Sequence, residues 1–153
     1  DLEAARRVLE TEARAIDSLA ATLDDRFEDA LDVFTKCTGR IIVTGMGKSG
    51  HVAHKVASTL SSTGRPALFV HPAEASHGDL GMIEEGDAVL AYSNSGETPE
   101  LSDIIAYTRR FKLPLVAVTS KAGSTIPGQA DVTIVLPAAA SCASCVTVPQ
   151  NAS

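Results

Sequence analysis

Two short stretches concentrate the side chains able to do chemistry. The first, Thr44-Gly45-Met46-Gly47-Lys48-Ser49-Gly50, interleaves three glycines with a lysine and a serine. The second, Ser93-Asn94-Ser95-Gly96-Glu97-Thr98-Pro99-Glu100, brings three hydroxyls, a glycine and two acids together. Each sits between an apolar run and a segment with helical spacing. Turns of this kind bind phosphate, because free backbone N–H groups and the positive end of the helix dipole face an anion.

Three readings compete for the first stretch. Gly45, Gly47 and Gly50 fit the dinucleotide pattern G-x-G-x-x-G between a strand and a helix. That pattern wants an acid at the end of the next strand, for the ribose. The strand ends Phe69-Val70-His71-Pro72, and Glu74 follows only after the proline, so the fingerprint is half met. A P-loop shares the ending Gly47-Lys48-Ser49 but needs glycine where Ile42 stands, and this reading fails. The third reading joins the two stretches into one site. Thr98 reads as a helix N-cap, Pro99 as the first helical residue and Glu100 as the second. Ser93, Ser95 and Thr98 then offer hydroxyls beside a helix N-terminus. Two such loops at neighbouring strand ends make one crevice, the usual ligand site of an open α/β sheet. A plainly capped turn is the ordinary alternative for the second loop.

The scaffold follows from hydrophobic spacing. Residues 1–35 read as helix, with Leu2, Leu9, Ile16 and Leu23 seven apart and a break at Asp24-Asp25. This N-terminal segment, residues 1–38, has an apolar stripe that needs cover, from its own domain or from a dimer partner. From residue 40 the pattern changes. Apolar runs at 41–44, 67–70, 88–91, 115–118 and 132–136 read as strands, and 49–62 and 99–112 as helices. The runs are continuous rather than alternating, as in strands buried on both faces. Strands alternating with helices imply a five-stranded parallel sheet in an α/β sandwich with right-handed crossovers. Residues 39–153 form that domain in this reading, and 138–144 a loop. No closing helix follows the fifth strand, so a fragment is expected.

Bulk composition narrows the function. The 153 residues carry 44% hydrophobic and 21% charged side chains, an ordinary globular balance. The net charge of −6 argues against broad nucleic-acid binding. No apolar run is long enough to span a bilayer. Three cysteines, an odd and low count, fit a reducing cytoplasm.

Taken together, "GMGKSG", "HPAEASHGDLGM" and "SNSGET" resemble the sugar isomerase (SIS) domain, and more narrowly the arabinose 5-phosphate isomerases of Gram-negative bacteria. The likeness spans about residues 40–136. It implies a doubly wound parallel sheet, usually tetrameric and often followed by CBS domains. It also implies interconversion of ribulose 5-phosphate and arabinose 5-phosphate for Kdo and lipopolysaccharide synthesis. By that resemblance Ser49, Ser93, Asn94, Ser95 and Thr98 hold the substrate phosphate, and Lys48, Glu100 and His77 lie at the reacting sugar. The chemistry asks for such types. Aldose–ketose isomerisation through an enediol needs a base of near-neutral pKa and a cation or donors at the developing oxyanion. It needs no redox cofactor.

Each residue also has a plainer role. Glu100 in a first helical turn complements the helix dipole, Glu97 is read as solvated, Lys48 as a surface lysine and His77 as an exposed loop histidine. His51 and His54, an H-x-x-H pair, can share a helix face and bind metal, but no third ligand is obvious. His71, ending a strand, can face the same crevice. One departure stands out: the acid that the family uses after the fifth strand falls on Ser141. Cys142 and Cys145 form a lone C-x-x-C, weak as a metal or redox signal, and Asn151-Ala152-Ser153 matches a glycosylation acceptor. The expectations are therefore an isomerase, a sugar-phosphate sensor without turnover, or a dinucleotide enzyme. The partners expected are a small sugar phosphate and further copies of the chain, a dimer or tetramer, without metal, membrane or nucleic acid.

Overall fold

The computed structural model describes residues 1–137. Ser141, Cys142, Cys145 and the 151–153 acceptor pattern lie outside them. Residues Asp24–Val135 form one compact unit that holds the whole sheet, and α1 (Leu2–Thr22) falls outside that unit. In α1 the Asp1 carboxylate caps the first turn, accepting from the Ala4 N–H at 3.0 Å. The break expected at Asp24-Asp25 is there: Asp24 caps α2 (Asp25–Lys36) by accepting from the Arg26 N–H.

Five strands follow, all parallel: β1 (Ile41–Gly45), β2 (Ala67–Phe69), β3 (Ala88–Tyr92), β4 (Leu115–Thr119) and β5 (Val132–Val135). Their spatial order is β2-β1-β3-β4-β5. Every residue of β1 and β4 is buried, which is why these runs lack polar alternation. Along one face, Ile42, Val89, Ala91, Leu115 and Ala117 pack under Ala75 of α4 (Pro72–Ser76) and under Leu101, Ile104 and Ile105 at the start of α5 (Ser102–Phe111). α3 (Lys48–Ser62) packs on β1 and β2, burying Gly50, Ala53 and Ala57. α2 packs against β5. α5 stops at Lys112, which takes the left-handed conformation at φ 54°, two residues before Pro114.

Two details depart from the sequence reading. The segment 99–112 is not one helix: Pro99–Leu101 is a 3₁₀ turn and the α-helix starts at Ser102. From sequence no helix is expected after β2, yet Pro72–Ser76 forms α4 with Pro72 in its first turn, where proline has no N–H to lose.

The amino ends of β1 and β3 are fastened by a buried acid. Asp87 is 2% exposed. It accepts from the backbone N–H of Arg40 at 2.7 Å, from the Arg40 guanidinium at 3.2 Å and from the Glu84 N–H at 3.0 Å. Behind it, the Arg65 guanidinium donates to the carbonyls of Phe34 and Cys37, closing the C-terminal end of α2. Removing the Asp87 acceptor strands buried donors, so Asp87→Ala is expected to cost about 2–4 kcal/mol in urea unfolding. Asp87→Asn, which still accepts, is expected to lose roughly half of that.

Candidate active site

The strand order marks the candidate site. β1 connects outward to β2 on one side, while β3 lies on its other side. The crossovers therefore leave the sheet in opposite directions at the carboxyl ends of β1 and β3, the kind of switch point at which open α/β sheets take their ligands. Gly45 of β1 stands directly beside Tyr92 of β3 in the register. The glycine turn and the hydroxyl loop leave from these two residues, so the sheet brings the two sequence motifs side by side.

Each glycine of the first turn has its own reason. A side chain on Gly45 would lie 2.9 Å from the Ser49 carbonyl oxygen and 3.1 Å from that of Tyr92. A side chain on Gly50 would lie 2.7 Å from the Gly45 carbonyl oxygen. So α3 starts hard against the end of β1, closer than any larger residue permits. Gly47 takes φ 57° and serves as the N-cap, leaving α3 without a side-chain cap. No acid occupies the first turn, and Lys48 is its first residue. By contrast, α2 carries a capping aspartate and the first-turn acids Asp25 and Glu28. A lysine at the positive end of an uncapped helix is unfavourable alone and is relieved by an anion.

The hydroxyl loop is internally built. Ser93 is buried, and its hydroxyl accepts from the Gly96 N–H at 3.0 Å and shares a 2.7 Å hydrogen bond with the Thr98 hydroxyl. The exposed Ser95 hydroxyl accepts from the Glu97 N–H at 3.2 Å. Thr98 precedes the 3₁₀ turn but does not cap it, because its hydroxyl is engaged with Ser93. The Asn94 amide oxygen accepts from the Ser120 hydroxyl at 2.7 Å, facing the loop after β4.

The residues expected at the sugar are exposed and uncommitted. Among the described residues, Lys48, Glu100 and His77 take part in no side-chain hydrogen bond or ion pair. Glu100 rides on the 3₁₀ turn, and His77 ends α4. α4 packs against that turn, so His77 and Glu100 sit on touching elements. Lys48 and Ser49 come from the other side, at the end of β1. His71 caps α4: its Nδ1 accepts from the Ala73 N–H. His54 stands edge-on to Phe69. Among the described residues no group of three or more His, Cys, Asp or Glu could hold a metal ion, and no helix is long and apolar enough to cross a membrane.

Sequence reasoning missed two residues here. Tyr92 is largely buried at the end of β3, and burial pushes its phenol above the ordinary value, so it stays protonated at neutral pH. Glu97 is not merely solvated. Its carboxylate accepts from the Thr125 N–H at 2.7 Å, a partner 28 positions away that no local pattern announces.

The SIS domain model matches residues 34–151. The chain belongs to the SIS domain family. It is 45% identical over 133 residues to the arabinose 5-phosphate isomerase KdsD of Pseudomonas aeruginosa, covering 87% of this chain and 41% of that protein. It is 42% identical over 150 residues to the KdsD of Yersinia pestis, covering 98% of this chain and 43% of that protein. The chain thus spans about two fifths of these relatives' length. Among solved structures, the E. coli CFT073 protein c3406 in complex with A5P superposes with a TM-score of 0.84 at 32% identity, covering 89% of this chain and 72% of that one. This SIS domain has the five-stranded parallel sheet expected of it.

The Glu97 contact carries a pH signature. Hydrogen bonding to Thr125 lowers its pKa below the ordinary 4.5, with a smaller contribution from the Lys121 charge. A depressed carboxyl contributes stability above its unfolded pKa and loses it as pH falls through the folded one. Carbon NMR is expected to show Glu97 titrating below pH 4.5, with the Thr125 amide shift moving in the same step.

Proposed function

We propose that this SIS domain is the isomerase module of an enzyme that interconverts D-arabinose 5-phosphate and D-ribulose 5-phosphate through an enediol. The observation that carries the reading is the convergence at the β1/β3 switch point. An uncapped helix start bearing Lys48 faces a loop of three hydroxyls, which is a receptor for a small phosphate. The names of the KdsD relatives supply the sugar.

In this reading the phosphate sits on Ser49, Ser93, Asn94, Ser95 and Thr98, with the first-turn N–H groups of α3. The sugar chain then reaches toward Glu100 and His77. Glu100, a free carboxylate, moves the proton between C1 and C2. Lys48 stabilises the oxyanion that develops on the enediol. His77 donates to a sugar hydroxyl. The reaction exchanges one C–H bond for another and is balanced without an oxidant. The proposed setting is the cytoplasm, in Kdo and lipopolysaccharide synthesis, within a homo-oligomer, dimer or tetramer. The stripe Leu2, Leu9, Ile16 and Leu23 supports a subunit contact.

Proton NMR of ribulose 5-phosphate with the protein in D₂O tests the reading. Arabinose 5-phosphate carrying deuterium at C2 is the expected product. Binding of arabinose 5-phosphate without any turnover would instead favour a sugar-phosphate sensor, the reading to which Ser141 in place of the family's acid lends weight. Glu100→Gln is expected to lower kcat by roughly 10²–10⁴-fold with little change in KM. Ser95→Ala is expected to act mainly on KM, by about 5–10-fold.

A further inference from the structure

The hydroxyl loop after β3 does not stand alone. The segment after β4, residues 120–126, lies along it and is tied to it at both ends. Near the strands, the Asn94 carbonyl accepts from the Ser120 N–H at 3.2 Å and from the Thr119 hydroxyl at 3.3 Å. Further out, the Gly96 carbonyl accepts from the Ile126 N–H at 3.0 Å. Gly96 takes φ 68°, and a side chain there would overlap Ser124. The two loops are in contact with no room for an intervening residue or water at that point. The outermost tie is the carboxylate of Glu97 on the Thr125 N–H at 2.7 Å, with Lys121 close enough to lower its pKa further.

We propose that Glu97 is a positioning residue for the anion site: by holding segment 120–126 against the β3 loop, it keeps Ser93, Ser95 and Thr98 in the arrangement that receives phosphate. The inference rests on the sugar-phosphate reading above. Inside the β3 loop, Ser93 joins Gly96 and Thr98, and Ser95 joins Glu97, so any shift of the backbone at 96–97 displaces all three hydroxyls together. Beside the Gly96–Ile126 backbone bond, the Glu97 carboxylate is the side chain that anchors that backbone from outside. A carboxylate this near a phosphate dianion would otherwise oppose binding. Its charge is instead engaged by the Thr125 backbone N–H of the neighbouring segment, and a charge-assisted bond of this kind is stronger than a neutral one. Glu97 touches no reacting atom in this scheme, so its removal should weaken ligand binding and spare the chemical step.

Three substitutions separate the possibilities: Glu97→Ala removes the contact, Glu97→Gln keeps an acceptor of the same reach, and Glu97→Asp keeps the charge on a shorter arm. In the full chain, affinities for inorganic phosphate and arabinose 5-phosphate would be measured by calorimetry. KM and kcat would be measured by NMR, and amide exchange followed at 93–98 and 120–126. For Glu97→Ala and Glu97→Asp, affinity is expected to fall and KM to rise by roughly tenfold, with kcat within about twofold. Faster exchange in both segments is expected to accompany the loss. Glu97→Gln is expected to stay within about threefold of wild type. The proposal is overturned if Glu97→Ala binds both anions as wild type does, or if kcat falls while KM holds. It is also overturned if exchange accelerates evenly across the sheet, the mark of a general loss of stability. A wild-type protein that binds neither anion would sink the sugar-phosphate reading itself, and that result appears before any variant is made.

Discussion

The approach of α3 to the end of β1 is the constraint on which the ligand end of this sheet depends. A helix placed at ordinary distance from a strand leaves its first N–H groups to water or to a side-chain cap. Here Gly45 and Gly50 let the helix start within contact of the strand backbone, and Gly47 turns the chain at a dihedral that other residues resist. The start of α3 is therefore left without a side-chain cap at the carboxyl end of β1. The lysine that begins the helix adds charge where the dipole is already positive. Such a site is poorly satisfied when empty, and binding an anion removes that penalty.

The second wall of the crevice reaches a similar end by a different route. In place of close backbone packing it uses small polar side chains that hydrogen-bond one another. The buried Ser93 acts as the hub, engaging Gly96 and Thr98. The neighbouring loop provides the outer support through Asn94, Gly96 and Glu97. Preorganisation of this kind matters most for a small ligand, because a ligand such as the proposed sugar phosphate offers few atoms to offset the entropy of ordering a loose loop. The side chains proposed to react differ in character from this frame. Lys48, Glu100 and His77 are exposed and unpaired among the described residues, so they remain available to a substrate.

Much of this architecture could be read from sequence because its causes are local. The central strands β1 and β4, Ile41–Gly45 and Leu115–Thr119, are buried throughout, and their largely apolar character reflects cover on both faces. The break at Asp24 announced itself as a capping residue. Both candidate loops were visible for the same reason, since each is a local cluster of glycines or hydroxyls between an apolar run and a helix. What escaped notice depends on distant partners. Helix α4 is only five residues long and begins at Pro72, so it lacks the periodicity that reveals a helix. Thr98 carries the composition of a cap, yet its hydroxyl goes to Ser93, and the following turn tightens to 3₁₀. The roles of Glu97 and Asp87 depend on backbone N–H groups 28 and 47 positions away, and N–H groups leave no trace in a sequence.

The Arg65 guanidinium, which receives little notice beside the site, sets where this module can be cut. It sits just after α3, and it holds two carbonyls at the end of α2 across some 28 to 31 positions of chain. α2 is thus bound into the sheet's unit by the residue that leads into β2, although it precedes the first strand. The natural seam for recombination therefore falls between Leu23 and Asp24. A gene fusion joined just ahead of Ile41 would discard α2 and leave the half-buried Arg65 without the carbonyls it holds. One joined ahead of Asp24 would transfer the sheet, both loops and the helix that backs them as a single heritable part.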